Sequence, residues 1–141
     1  MKVINRKKPE TRPPEYTMWG QVQHFKEVAT GIWCVMTSSH GGYVLSAERE
    51  KQFRKLMPKW CSAYSTTREF EGDCDWMAVV LAFPECFSEE KIAKVVEYVS
   101  TSDYFPNKYA YEVYMESRKV DDQLRKLSQV PLIQEVFDDA V

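Results

Sequence analysis

Residues 31–57, GIWCVMTSSHGGYVLSAEREKQFRKLM, pass from a strand pattern to a helix pattern, and this change indicates the fold class. The apolar, β-prone run at 32–37 predicts a buried strand. The paired glycines at 41–42 predict a tight turn, because glycine readily adopts the positive φ angles that such turns need. Extended structure resumes at 43–45. We therefore expect an antiparallel meander of two or three strands over 18–45.

The second half of this stretch predicts a helix. Ser46 stands where an N-cap is expected, and Glu48 and Glu50 fall in the first turn, where the helix dipole favours anions. Pro58 ends the helix, because proline lacks the N–H that would continue it. The inward face is expected to comprise Phe53, Leu56 and Met57.

Three further helices are predicted downstream. Residues 76–83 (WMAVVLAF) are apolar throughout, and the acidic residues before them favour a short buried helix over a strand. Ser88 opens the next helix, and a third covers about 107–128. Residues 59–72 are expected to form a loop, and 131–137 a last helical turn. The inward positions are expected to be Ile92, Val95, Val96 and Val99 in the helix after Ser88, and Tyr111, Tyr114, Val120, Leu124 and Leu127 in the long one.

The length of 141 residues is that of one domain. Residues 1–16 are basic and rich in proline, so we expect a flexible arm there and a single domain over 17–141. The expected architecture is α+β, with an N-terminal antiparallel β-meander packed against three to four helices. The net charge of −2 gives the whole protein no field that attracts nucleic acid. The arm, with Lys7 and Lys8, is locally basic; a short solvated tail is the commoner interpretation of such a segment, and contact with phosphate is the alternative.

The cysteines indicate a reducing compartment. Cys34, Cys61, Cys74 and Cys86 form no C-x-x-C pair, and the polar N-terminus has neither the apolar core of a signal peptide nor a membrane span. We expect reduced thiols, with Cys34 and Cys86 buried, in a protein of the bacterial cytoplasm that does not contact a membrane.

The segment TSSHGGYVLS at 37–46 is the strongest candidate for chemistry. A histidine beside two glycines can act as a general base or metal ligand, and H-G-G beside a strand is typical of oxyanion-hole loops. The G-x-S-x-G motif that a hydrolase would add is missing from the sequence. The simpler interpretation is a hairpin turn whose histidine bonds the loop. If the protein is an enzyme, the candidate catalytic residues are His40, Ser39 and Asp75, with Ser38 and Cys74 as further candidates.

Metal and cofactor sites are not expected. His24 and His40 are the only histidines, and a site built from His40, Cys74 and Asp75 lacks the short ligand spacings that metals favour. The sequence contains no P-loop, G-x-G-x-x-G or EF-hand pattern, so no cofactor is predicted.

The motifs Ser39-His40-Gly41-Gly42, Leu45-Ser46 and Asp73-Cys74-Asp75-Trp76 resemble those of a small uncharacterised domain family. The likeness covers roughly 18–100. Members of that family occur in phages, plasmids and the large polyvalent proteins of mobile elements. The resemblance implies a protein that acts inside a bacterium for a mobile element, and it implies no particular activity.

The leading hypothesis is a non-enzymatic protein that binds a bacterial defence complex, in the manner of an anti-CRISPR or anti-restriction inhibitor. Acidic side chains would stand where phosphates lie in a basic channel, and tyrosines would anchor the contact. The alternatives are a small enzyme centred on His40 and a nucleic-acid-binding accessory protein that uses the basic arm. The candidate partner-binding residues are Glu69, Glu71, Asp73, Asp75, Tyr111, Tyr114, Asp121 and Asp122.

Overall fold

A four-stranded antiparallel sheet lies at the centre of the computed structural model, which describes residues 12–63, 68–72 and 75–128. The strands are β1 (Tyr16–Thr17), β2 (Gly20–Gln21), β3 (His24–Ala29), β4 (Ile32–Met36), β5 (Gly41–Leu45) and β6 (Glu69–Glu71). The helices are α1 (Ala47–Leu56), α2 (Pro58–Ala63), α3 (Trp76–Ala82), α4 (Glu89–Val99) and α5 (Phe105–Ser128), with a short 3-10 helix at Pro84–Cys86. β1 pairs with β2, and the larger sheet has the order β3-β4-β5-β6. The expected α+β architecture, with its N-terminal meander, is confirmed.

The larger sheet has an apolar core on each face, because successive side chains of a strand point to opposite sides. Ile32 and Tyr43 pack on one side with residues of the helices. Trp33 and Val35 point to the other side, where Trp19 from the turn between β1 and β2 packs against them. The small hairpin therefore covers one face and the helices cover the other.

The prediction of a continuously buried strand at 32–37 is wrong for two residues. Cys34 is exposed, against the expectation of a buried thiol, and Met36 is 55% exposed. Both share the face of Ile32 by the two-residue period of a strand. Their partners in β3, Lys26 and His24, are exposed as well, so the described helices do not cover this edge of the face.

The paired glycines are part of β5 and have another role than the predicted one. Neither Gly41 nor Gly42 has a positive φ, so the prediction that they supply left-handed turn positions is wrong. A Cβ atom on Gly42 would overlap the carbonyl oxygen of Phe70 and lie 2.7 Å from Cη2 of Trp19. Glycine is needed there because β6 and the indole ring approach the backbone closely.

α1 begins as predicted but has a narrower inward face. The Oγ of Ser46 accepts the N–H of Arg49 at 3.1 Å, which confirms the N-cap. Phe53 and Met57 are fully buried. Leu56 is 44% exposed, so its predicted inward position is wrong. It lies to one side of the stripe that the other two residues define.

The segment 59–72, predicted as a loop, holds α2 and β6. Trp60 of α2 is 1% exposed, and its ring lies 5.5 Å from that of Phe53, centroid to centroid. In β6, Phe70 is buried between two glutamates and pairs with Tyr43 of β5. The loop prediction is wrong because one buried aromatic residue per element is enough to anchor each of them to the core.

α3 and α4 confirm the predictions made from their patterns. Residues 77–81 of α3 are all buried, as expected for a helix surrounded by other elements. In α4, Ser88 caps the first turn by accepting the N–H of Lys91 at 3.1 Å. Its apolar stripe faces the core, with Val95 and Val99 buried. Ile92 and Val96 are half-buried beside them.

Among the described residues, only the first half of α5 packs against other elements. Tyr109 and Tyr114 are buried in the core, whereas no residue from 115 to 128 is buried. The inward orientation predicted for the second half is therefore wrong. The helical turn predicted at 131–137 lies outside the described residues. The exposed residues that were predicted to face inward are Val120 (47%), Leu124 (60%) and Leu127 (66%).

Candidate functional site

The turn between β4 and β5 is held by Thr37. Its Oγ1 accepts the N–H of His40 at 3.1 Å and donates to the carbonyl oxygen of His40 at 2.9 Å. The N–H of Ser39 also donates to Oγ1 of Thr37, at 3.4 Å. Thr37 is 8% exposed, so it fixes the turn from the inside. These hydrogen bonds between the Thr37 side chain and the backbone are those of a structural hairpin turn.

The imidazole of His40 pairs with a carboxylate from the neighbouring strand. Its Nδ1 lies 3.0 Å from Oε2 of Glu71, at the end of β6. The His40 side chain is 44% exposed and that of Glu71 is 29% exposed. A histidine oriented by a carboxylate is the base-and-orienter half of many catalytic sites. Here it also joins the turn to β6.

The other proposed catalytic residues do not complete a relay in the described part of the chain. No hydrogen bond joins the side chains of Ser39 and His40 there. Asp75 accepts a hydrogen bond from the hydroxyl of Tyr104 at 3.2 Å. Ser38 is exposed in the turn, and Cys74 lies outside the described residues. Among the described residues, the arrangement supplies a base without a positioned nucleophile.

The acidic residues at 69–75 serve mostly to connect elements. Oε1 of Glu69 accepts the backbone N–H of Met18 at 2.8 Å and so joins β6 to the small hairpin. Glu71 binds His40, and Asp75 binds Tyr104. Asp73 lies outside the described residues. Glu69, Glu71 and Asp75 were expected to face a partner, and the structure gives each of them an intramolecular one.

The tyrosines proposed as anchors differ in accessibility. Tyr114 is 9% exposed and belongs to the core, which removes it from the candidates for a partner contact. Tyr111 is half-buried against the same core. Two neighbouring tyrosines that were not proposed as anchors are more accessible: Tyr98 on α4 is 67% exposed, and Tyr104 before α5 is 43% exposed. The sequence pattern alone did not separate these two groups.

An exposed apolar stripe runs along the second half of α5. Val120, Leu124 and Leu127 follow one another at i, i+4 and i+7, which places them on one face of the helix. We call these three residues the α5 stripe. Asp121 is exposed beside the stripe, whereas Asp122 lies on the other side and pairs with Arg125 at 2.6 Å. The structure thus separates the two aspartates that the sequence suggested as one pair.

A groove of about 620 Å³ lies between α3 and α4. Met77 and Val95, both buried, contribute apolar surface to it. The indole of Trp76 has two near neighbours: the ring of Tyr43, whose centroid is 6.2 Å away, and the Nζ of Lys91, which lies 5.5 Å from the indole centroid. Sequence analysis missed this site, although the spacing of its residues on α4 was a usable signal. The residues lining the groove are Trp76, Met77, Ser88, Glu90, Lys91, Lys94, Val95 and Tyr98.

The described residues give no sign of a metal centre or a membrane span. Within 12–63, 68–72 and 75–128, no three side chains of His, Cys, Asp or Glu converge closely enough to hold a metal ion. None of the helices in these ranges combines the length and apolar character that crossing a bilayer requires. Cys34 and Cys86 are free thiols.

Comparison with known proteins identifies a family. The domain of unknown function DUF7007 matches residues 12–129, consistent with the expectation of an uncharacterised small domain family. No curated protein and no solved structure matches the chain. The matched range takes in both sheets, the groove between α3 and α4, and the whole of α5. The chain is a member of the DUF7007 family.

Proposed function

We propose that this is a protein-binding module of a phage or mobile element, which acts in the bacterial cytoplasm as an inhibitor of a host-defence complex. The contact is made by the α5 stripe. The observation that carries the proposal is the exposure of Val120, Leu124 and Leu127 on one face of a helix whose first half is firmly docked.

The exposure of this stripe has a physical cost that binding would remove. Burying an aliphatic side chain of this size contributes about 1.5–3 kcal/mol. Three of them in a row at helical spacing form the pattern by which an amphipathic helix enters an apolar groove. The buried Tyr109, Ala110 and Tyr114 fix the direction in which the helix leaves the body of the protein.

The charges beside the stripe are of both signs, and its acidic ones would meet a basic partner surface. Glu116 and Asp121 are exposed beside the stripe, and Lys119 is exposed on the side opposite Asp121. Such rim charges set the rate and specificity of association, whereas the buried apolar anchors set the lifetime of the complex. A defence complex that handles nucleic acid offers basic surface of this kind. This retains the expected acidic contact and moves its anchors from tyrosines to the stripe.

A plating assay tests the proposal. The protein is expressed in bacteria that carry a CRISPR or restriction system, and the plating of a targeted phage is counted. Wild-type protein should raise plating on at least one of these hosts. The double substitution Leu124→Ser and Leu127→Ser should abolish the rise, since both residues are exposed and their loss leaves the fold intact.

Met115→Ser is the matched control, because Met115 is an apolar residue on the other side of the same helix and is 39% exposed. It should leave the rise in plating unchanged. The proposal would be contradicted if both variants lost the rise in phage plating equally. It would also be contradicted if the wild-type protein changed plating on none of the hosts.

The pair formed by His40 and Glu71 favours a second candidate function, a small enzyme that uses His40 as a base. Its test is the substitution His40→Gln, which preserves the size of the side chain but removes the basic nitrogen. Loss of the plating effect with an unchanged melting temperature would favour this candidate. The remaining alternative, nucleic-acid binding by the basic arm, rests on residues that lie mostly outside those described.

A further inference from the structure

The groove between α3 and α4 combines two features that the proposed protein contact does not use. Aromatic surface is supplied by Trp76, and by Tyr98, which is 67% exposed. Positive charge is supplied by Lys91 and Lys94, which lie on α4 and line the same groove. Among the described residues neither lysine has a carboxylate within ion-pair distance.

The placement of these side chains follows from the helix geometry. Lys91, Lys94 and Tyr98 stand at i, i+3 and i+7 on α4, so they line one face beside the buried Val95. Trp76 faces them from the start of α3, with one side of its ring against Tyr43 and with Lys91 near it. The indole is therefore held in place before any ligand arrives, which lowers the entropy cost of binding.

We infer that this groove binds a nucleotide, with the base against Trp76 and Tyr98 and the phosphate at Lys91 and Lys94. A volume of about 620 Å³ is in the range of small-molecule sites, about 300–1,000 Å³. Flat aromatic side chains beside ammonium groups match a ligand that is planar at one end and anionic at the other. Glu90 is the single carboxylate among the described lining residues, so the lining has a net positive charge.

The ligand is either a free nucleotide or one unit of a single strand, since both present the same base and phosphate. Isothermal titration of the whole chain with the four nucleoside monophosphates, inorganic phosphate, adenosine and a single-stranded DNA decamer separates these sources. Saturable binding of at least one monophosphate, more tightly than adenosine or phosphate, supports a free nucleotide. Binding of the decamer alone, at this groove, supports a strand.

Substitutions assign the binding to the groove. Tyr98→Ala should weaken nucleotide binding about 10-fold or more, because the base loses its stacking contact. The double substitution of Lys91 and Lys94 by Gln should weaken monophosphate or decamer binding about 10-fold, with a smaller difference at high salt. Adenosine binding should not change, because it carries no phosphate. The control is Lys51→Gln, which removes an exposed lysine of α1 and should leave binding as it was.

NMR spectroscopy provides a second measurement of binding that does not depend on the heat of titration. In an amide and indole NMR spectrum, the indole signal of Trp76 should shift on titration, and that of Trp60, which is 1% exposed in the core, should not. The proposal fails if no nucleotide or decamer binds saturably. It also fails if phosphate alone binds as tightly, or if Lys51→Gln weakens binding as much as the groove variants do. None of these outcomes depends on the α5 stripe.

Discussion

Gly42 shows how one missing side chain allows the sheet to close. β6 joins β5 with Gly42 opposite Glu71, and the indole of Trp19 covers the same point from the other side. Any Cβ atom at this position would overlap the backbone of Phe70. The neighbouring Gly41 is less crowded, because its closest contact for a Cβ would be the carbonyl oxygen of Val35 at 3.1 Å.

The two adjacent glycines therefore provide a matched pair of substitutions. Gly42→Ala should lower the free energy of unfolding by about 3 kcal/mol or more, at the upper end of overpacking effects. Gly41→Ala should cost about 1 kcal/mol or less. Urea unfolding followed by circular dichroism measures both. Equal costs would show that β6 does not approach β5 as closely as described here.

Tyr43 gives the protein a sensitivity to alkaline pH. Burial of the phenol, and then the negative charge on the thiolate of the facing Cys34, raise the pKa of Tyr43 to about 12. The unfolded chain releases this proton near pH 10, while the folded protein keeps it. The stability linked to Tyr43 is therefore complete below pH 10 and is lost as the pH rises from 10 to 12.

Comparison with a phenylalanine variant isolates this effect from the other groups that titrate there. The wild type should lose about 1–2 kcal/mol more than Tyr43→Phe between pH 10 and 12, allowing for partial solvent screening of the hydroxyl. Tyr98→Phe, at an exposed position, should follow the wild type. Parallel pH profiles for the wild type and Tyr43→Phe would contradict the raised pKa.

The partner of His40 shows why the site was only partly predictable from sequence. The motif at 37–42 identified the turn and its histidine, since short-range patterns carry that information. The bond to Glu71 depends on the register between β5 and β6, and register is a property of the folded sheet. The acidic loop containing Glu71 was recognised, but its pairing with the turn was not.

Elements with a clear hydrophobic pattern were predictable from the sequence. Elements that a single buried side chain anchors to the core were not. α1 and α4 begin at their predicted serine caps, and α3 follows its uninterrupted apolar run. β6 is three residues long with one buried side chain, so its pattern resembles that of a loop. For α5 the period gave the correct apolar face, but periodicity does not tell what covers a face, and the second half is exposed.

The backbone amides of α5 should accordingly show two levels of protection from hydrogen exchange, one in each half of the helix. Hydrogen exchange followed by NMR should find the amides of 117–128 exchanging at least about 100-fold faster than those of 107–114, because only the first half is held by core contacts. A bound partner should slow the faster set. Equal protection in the free protein would mean that the stripe is already covered, by a second copy or by chain outside the described residues.

The two proposed contacts lie on different surfaces of the molecule. The α5 stripe projects from one part of the helical layer, and the groove between α3 and α4 opens on another, while the carboxylates of Glu69, Glu71 and Asp75 are engaged in holding the sheet and helices together. A net charge of −2 is too small to steer association by itself. In the proposed function, recognition comes from these local surfaces, and chiefly from the stripe.

Site-specific photo-crosslinking inside the bacterial host tests that claim most directly. A benzoyl-phenylalanine is placed at Leu124 in the stripe or at Met115 on the opposite side of α5, and crosslinked species are identified by mass spectrometry. We predict one discrete adduct between Leu124 and a subunit of a defence complex, with none from Met115. An adduct from Leu124 only to this protein itself, or the same adducts from both positions, would contradict the account.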